Sequence, residues 1–180
     1  MSPSQDYLAL TDAALLDQCE VDVYKSSGPG GQHRNKTSTA VRLRHQPTGL
    51  SAHGDESRSQ YQNKRAALRR LRMNIACRLR RPIDPAKCEI PAFVAECLFT
   101  PRGVAPGVGK RLAIGSRDRR FWRIAGFLLD VLDAFEGRLA DAAGCIGITT
   151  SNFTGLLKSE RHLLESAQRI RKNRGRPPIS

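Results

Sequence analysis

Several kinds of site are missing from these 180 residues. No hydrophobic run approaches the roughly 20 apolar residues of a membrane-spanning helix. The N-terminus lacks the basic stretch followed by an apolar one that marks an export signal. The chain therefore reads as soluble and cytoplasmic, with no membrane partner. Its five cysteines, Cys19, Cys77, Cys88, Cys97 and Cys145, contain no C-x-x-C pair. An odd, unspaced set points to reduced thiols, mostly buried as small apolar groups. His33, His45, His53 and His162 fall outside ligand spacing, so neither a metal nor any other cofactor is expected. No internal repeat is evident. Negative charge is scarce: 17 Asp and Glu against 30 Lys and Arg give a net charge of +13. Such an excess says little about fold and much about partners, and nucleic acid leads a phospholipid surface as the polyanion.

Short elements follow one another from the N-terminus. Leu8, Leu10, Leu15 and Leu16, with Thr11-Asp12 as a cap, suggest a leading helix within residues 5–18. From Glu20 the pattern alternates, with Val21 and Val23 on one face and Asp22 and Tyr24 on the other, as in a half-buried strand. Ser26-Ser27-Gly28-Pro29-Gly30-Gly31 cannot continue a strand and reads as an exposed loop. A short helix at 35–40, a second strand at 41–45, a Pro47-Thr48-Gly49 turn and a third strand at 50–53 come next. Residues 55–81 then read as a long helix opened by a Ser57-x-x-Gln60 capping box. Its apolar stripe is Tyr61, Leu68, Leu71, Ile75 and Leu79, with arginines and lysines on the other faces.

Charge is not spread evenly. Residues 20–81 hold 14 Lys or Arg against four acids, a net of +10 out of +13. The Gly-rich loop lies inside this basic stretch, which favours a shared purpose for loop and charge. Arg81-Pro82-Ile83-Asp84-Pro85 ends the long helix and marks a boundary. Beyond it a short helix at 92–99, a Pro/Gly-rich loop at 100–110 and an amphipathic helix at 120–138 are expected, with two or three more helices over 139–172. The tail from Arg171 is basic and Pro-containing, which predicts disorder until it binds.

The run Ser26-Ser27-Gly28-Pro29-Gly30-Gly31-Gln32-His33-Arg34-Asn35-Lys36 resembles the Gly-Gly-Gln signature of class I peptide-chain release factors. The resemblance continues through Ser38-Thr39-Ala40-Val41-Arg42, through His45-Gln46-Pro47-Thr48-Gly49, and into Glu56-Ser57-Arg58-Ser59-Gln60 with Asn63-Lys64. A bare G-G-Q is a weak motif; successive blocks in family order are a strong one. The resemblance implies action at the peptidyl-transferase centre of the ribosome. The backbone N–H of Gln32 would there help stabilise the transition state for hydrolysis of a P-site peptidyl-tRNA ester. It also implies large-subunit rRNA as partner and a glutamine methyltransferase that N5-methylates Gln32. Where the commonest family pattern carries valine, this chain has Arg34. An apolar contact is exchanged there for a fixed charge suited to phosphate.

The residue types fit that chemistry. Ester hydrolysis needs a water held in line with the carbonyl and a donor for the developing oxyanion. Gly30 and Gly31 remove side chains from the backbone and let it approach a substrate closely. Gln32 adds a neutral amide that accepts and donates, which can position water without acting as a true base. Asn35, Lys36, Thr37 and Ser38 suit phosphate and sugar contacts, or equally a helix start with ordinary caps. Arg42, Arg58, Lys64, Arg65, Arg69 and Arg72 complete the expected RNA-facing set, with Arg34.

Full-length release factors read stop codons with a domain upstream of the Gly-Gly-Gln domain, and only about 25 residues precede this loop. The chain thus resembles short family members that rescue stalled ribosomes. In the C-terminal half, Gly103 to Arg111 has neither the glycine spacing nor the Ser/Thr of a phosphate loop. Ala143-x-x-x-Gly147 with Phe153 and Leu156 has helix-turn-helix spacing, exposing Thr150, Ser151, Asn152 and Thr154, although helical hairpins give the same pattern. Arg174-Gly175-Arg176-Pro177 resembles an AT-hook core, and such a tail equally suits an mRNA channel.

The expected fold is α+β: a small release-factor-type domain, a three-stranded sheet with a long helix, plus a mainly helical C-terminal extension. Its parts are a leading helix at 1–19, the Gly-Gly-Gln module at 20–81, the helical extension at 82–170 and a basic tail at 171–180. A monomer performing ribosome-dependent, codon-independent hydrolysis is expected. The alternative is a ribosome- or nucleic-acid-binding protein that keeps the fold without hydrolysis, and a third is DNA binding through residues 84–180.

Overall fold

The computed structural model describes residues 6–25, 38–103 and 109–180, in two compact units, residues 1–75 and 76–180. The protein is α+β. In the first unit, a 3-10 turn at Tyr7–Ala9 leads into helix α1, Asp12–Asp17, whose N-cap Thr11 accepts from Ala14 N at 3.2 Å. Strands β1, Cys19–Tyr24, β2, Ala40–His45, and β3, Ser51–Gly54, form an antiparallel sheet in that order. Residues 38 and 39 are not helical, and residues 35–37 of the expected short helix lie outside the described residues.

Alternation sorts the faces of this sheet. Val41, Leu43 and His45 of β2 are buried together with Ala52 and Gly54 of β3, while Arg42, Arg44, Ser51 and His53 face outward. Val21 pairs with Leu43 and Val23 with Val41, so both valines share the apolar face. Yet they are 42% and 43% exposed, on a strand that is one of the two edges of this sheet. The expected alternation is present, and the apolar side of β1 is the more open one.

Helix α2, Gln60–Arg78, covers the β2–β3 side. Gly54 sets how closely: a Cβ there would lie 2.2 Å from the carbonyl oxygen of Asn63, so only glycine allows the contact. Arg70 Nη1 donates to His53 O at 2.7 Å and Asn74 Nδ2 to Ser51 O at 2.8 Å, which satisfies carbonyls of the edge strand β3. The buried side of the helix comprises Asn63, Ala67, Leu68, Leu71 and Ile75. Tyr61 is 69% exposed and Leu79 lies past the last turn, so the expected stripe is corrected at both ends. The i, i+4 row 63–67–71–75 places a polar residue first, where counting apolar residues alone does not look.

The second unit is mainly helical. After a 3-10 turn at Pro85–Lys87 come α3, Ala92–Ala95, and strand β4, Leu98–Phe99, which pairs antiparallel with β5, Arg111–Leu112. The expected helix at 92–99 thus ends at Ala95 and gives way to strand at Leu98, which finds a cross-strand partner in Leu112. Helices α4, Phe121–Ala134, α5, Leu139–Ile146, α6, Thr150–Lys158, and α7, Arg161–Asn173, surround one apolar core. Near the centre of α4 the buried carboxylate of Asp130 accepts from Arg80 Nη1 at 2.7 Å and from Arg81 N and Nε at 3.1 and 3.2 Å. Three donors around one carboxylate are what burial of such a charge requires.

Three expectations for this unit are overturned. Cys88 and Cys145 are joined in a disulfide, and free thiols remain at Cys19, Cys77 and Cys97. Fifty-seven residues separate the two half-cystines, too far for any local spacing rule to connect them. The tail is packed rather than loose: Gly175 turns the chain at φ +65°, Arg176 N donates to Arg171 O at 2.9 Å, and Ile179 is 8% exposed within the core. Arg171, itself buried, donates to Pro177 O at 2.8 Å and to Gly137 O. Finally, Asn152 is not free to contact bases. Its amide donates to Leu112 O at 3.1 Å and accepts from Leu112 N at 2.8 Å, extending the edge of β5. The α5–Gly147–α6 turn itself forms as its spacing predicts, with Gly147 at φ +76°.

Candidate functional site

Strands β1 and β2 are antiparallel, and Tyr24 opposite Ala40 is their last pair toward the Gly-rich segment. The Gly-Gly-Gln run is therefore the connection of a β-hairpin. Gly30, Gly31, Gln32, Arg34, Asn35, Lys36 and Thr37 lie outside the described residues. The geometry available to the site is that of the two roots and of whatever holds them.

Asn63 holds the second root. Its side chain is 1% exposed, its Nδ2 donates to Thr39 O at 2.7 Å and Ser57 O at 2.8 Å, and its Oδ1 accepts from Ser57 N at 2.8 Å. One amide thus ties the start of β2, the turn before α2 and the first turn of α2 together. Three hydrogen bonds satisfy a buried polar group whose isolation would be costly. The helix start supports the same arrangement: Ser59 O accepts from Asn63 N at 3.0 Å and Ser59 Oγ from Gln62 N at 3.4 Å. Ser59, rather than the expected Ser57, is the capping residue. Ser57 Oγ instead accepts from Ser59 N at 3.1 Å and donates to Gln62 Oε1 at 2.6 Å.

At the far end of the hairpin, His45 closes the β2–β3 turn. It is fully buried, with Nδ1 2.8 Å from Thr48 Oγ1, Nε2 3.0 Å from Gln18 Oε1 and the Tyr7 ring edge-on at 4.8 Å. An Nε2–H donating to Gln18 and an Nδ1 accepting from the Thr48 hydroxyl describe a neutral ring. Burial pushes its pKa below the ordinary 6.5 in the same direction. His45 serves the frame and not the chemistry.

The expected RNA-facing side chains separate into distinct environments. Ser38 is exposed at the loop root. Arg42 lies on the polar face of the sheet and is paired with Asp22 at 2.6 Å, a contact that raises its pKa through that hydrogen bond and the charge behind it. Arg72 turns inward: only 13% of its side chain is exposed, and it donates to Leu8 O, Leu10 O and the Asp12 carboxylate, clamping the N-terminal segment. Arg58, Arg65 and Arg69 are exposed and Lys64 is half-buried. Among the described residues no cluster of three or more His, Cys, Asp or Glu is placed to hold a metal ion, and no helix is long and apolar enough to cross a membrane.

Residues 15–88 match the family model described as the RF-1 domain. Over 87 residues the chain is 41% identical to peptide chain release factor 2 of Buchnera aphidicola subsp. Baizongia pistaciae, covering 46% of this chain and 23% of that protein. It is 47% identical over 81 residues to peptide chain release factor 2 of Streptomyces avermitilis, 44% of this chain and 22% of the relative. With peptide chain release factor 1 of Rubrobacter xylanophilus it shares 55% identity over 56 residues, 31% of this chain and 15% of the relative. Residues 15–88 are thus similar to the RF-1 domain of peptide chain release factors 1 and 2. It spans less than a quarter of the length of these curated relatives.

Proposed function

We propose that the protein hydrolyses the ester of peptidyl-tRNA on the ribosome, independently of a codon, with Gln32 at the reacting centre. The observation that carries this is the Gly-Gly-Gln run set between β1 and β2 inside a segment that matches the RF-1 domain. Water attacks the ester carbonyl carbon, the oxyanion forms opposite the Gln32 N–H, and the bond to the tRNA ribose oxygen breaks as that oxygen takes up a proton. The side-chain amide of Gln32 positions the water, Gly30 and Gly31 allow the close approach, and large-subunit rRNA with the P-site tRNA supplies the remaining environment. Arg34, Asn35, Lys36, Thr37 and Ser38, with Arg58, Lys64, Arg65 and Arg69, contact RNA.

Three further features belong to this proposal: N5-methylation of Gln32 by a glutamine methyltransferase, action as a monomer, and use of the C-terminal tail to sense the mRNA channel. The last requires the tail to undock first, since Ile179 and Arg171 seat it in the second unit. The test is peptide release from ribosomes stalled with and without a stop codon in the decoding site. Wild-type protein is expected to release from both, and Gln32→Pro, which removes the backbone N–H facing the oxyanion, to release about 100-fold more slowly, the scale of losing one donor at an oxyanion site. Equal rates for the two proteins would overturn the catalytic assignment and leave a protein that binds ribosomes without hydrolysis.

A further inference from the structure

The start of α2 carries an aromatic side chain that the fold does not use. Tyr61 is 69% exposed, so it contributes little of the apolar burial that would explain it as core. It sits beside cations: the Arg65 guanidinium lies over its ring at 5.8 Å from the centroid. Tyr61, Arg65 and Arg69 follow one another at i, i+4 and i+8, a continuous exposed strip about 12 Å long. Arg58 stands exposed in the turn just before it.

The acids of this unit leave that strip positive. Asp22 pairs with Arg42, Glu56 with Arg70 and Asp12 with Arg72. Among the described residues none pairs with Arg58, Arg65 or Arg69. An exposed aromatic ring with a guanidinium on one side, set in a row of uncompensated cations, is the combination that takes an unstacked base and its flanking phosphates. A membrane surface would require more apolar area than one tyrosine. Duplex nucleic acid keeps its bases stacked and has no use for the ring.

We infer that Tyr61, with Arg65 and Arg69, forms a stacking platform for one unpaired base of a single-stranded or looped RNA. The inference rests on the ribosomal function only for which RNA is met, and its readout is binding, not release. The platform belongs to the same rigid piece as the loop root, because Asn63 in the same helical turn bonds Thr39 O. A base held there fixes the direction from which the hairpin reaches its substrate.

The test uses the full chain and two fluorescein-labelled oligoribonucleotides, a short single strand and its abasic counterpart of equal charge. Wild-type protein is expected to bind the base-bearing strand about 5- to 150-fold more tightly, the worth of one stacked base. Tyr61→Ala should bring that ratio close to one and Tyr61→Phe should retain it. Arg65→Gln should weaken binding of both strands and lower the salt slope by about one. Unchanged melting of Tyr61→Ala checks the fold, as expected for so exposed a side chain. A wild-type ratio of one, an unaltered ratio in Tyr61→Ala, or a duplex DNA competitor as effective as the single strand would overturn the platform. If wild-type protein fails to release peptide yet keeps its base preference, the platform stands and the hydrolytic function falls.

Discussion

Truncating Asn63 probes the frame of the site directly. Asn63→Ala removes two donors and one acceptor at once, leaving Thr39 O, Ser57 O and Ser57 N without their partner. Each such bond contributes about 1 kcal/mol net, and Thr39 and Ser57 are half-buried, so water recovers part of the loss. The expected destabilisation is about 2–4 kcal/mol, measured by urea unfolding and, locally, by hydrogen exchange at the Ser57 amide. Asn63→Asp separates hydrogen bonding from packing. It keeps the acceptor for Ser57 N but sets a carboxylate oxygen against two carbonyls, which disfavours the charged form and raises its folded pKa above the ordinary carboxylate value of about 3.9. A raised folded pKa means that the native state binds the extra proton. Asn63→Asp should therefore gain stability relative to wild type as pH falls through that pKa, and lose it again as pH rises. If Asn63→Ala unfolds within about 0.5 kcal/mol of wild type with Ser57 protection intact, the amide is not the anchor of the loop root.

Two other perturbations follow from the frame. Burial holds the His45 ring neutral with a pKa below 6.5, so the unfolded chain binds a proton that the native state does not. Stability should fall by at most about 1.4 kcal/mol per pH unit as pH drops below 6.5, and His45→Gln should remove that component when unfolding is followed between about pH 7.5 and 5.5. In the second unit, the Cys88–Cys145 bridge closes a loop of 57 residues, worth about 4 kcal/mol by the chain-entropy estimate. Fluorescence of Trp122, the single tryptophan, which lies in that unit, should report an earlier urea transition for Cys88→Ser with Cys145→Ser, and for wild type after reduction. Coincident transitions with and without reductant would show that the bridge does not constrain the unfolded chain.

Much of this was legible in the sequence, and the exceptions have physical causes. Period-two alternation marks β1 and β2, Thr11 caps α1, and Ile124, Phe127, Leu128, Val131 and Leu132 of α4 are buried as expected, although the residues between them are buried too, so that stretch is not amphipathic. Long-range pairings were not legible. Leu98 becomes a strand because Leu112 is opposite it, and Cys88 meets Cys145 across most of the second unit's helices. The tail composition suggested disorder, but one apolar residue, Ile179, and the buried Arg171 were enough to dock it. The loop of the candidate site announces itself by motif. Its anchor, Asn63, falls in one of the family-like blocks, but its buried structural role is not legible there, because a polar residue at that place looks from sequence like part of a solvated helix start. The same row 63–67–71–75, counted for burial regardless of polarity, would have found it, and would have placed Tyr61 outside.

The basic charge of residues 20–81 acquires a direction from this sorting. Ion pairs do not alter the net +10, since each removes one charge of either sign, but they fix where the remainder is felt. Arg42, Arg70 and Arg72 are drawn to Asp22, Glu56 and Asp12, on the sheet, beside β3 and against the N-terminal segment. Arg58 in the turn before α2 and Arg65 and Arg69 in its first half have no acidic partner among the described residues. Asn63 lies in that half, bonded to the strand that carries the loop. Under the proposed function, attraction between this strip and an RNA surface would reach the loop root through one buried amide. Orienting a reacting group in this way is a recognised source of rate enhancement, and it requires no titratable side chain near the substrate. Under the proposed function, a neutral glutamine suffices at the centre, since orientation rather than proton transfer is what the frame would supply.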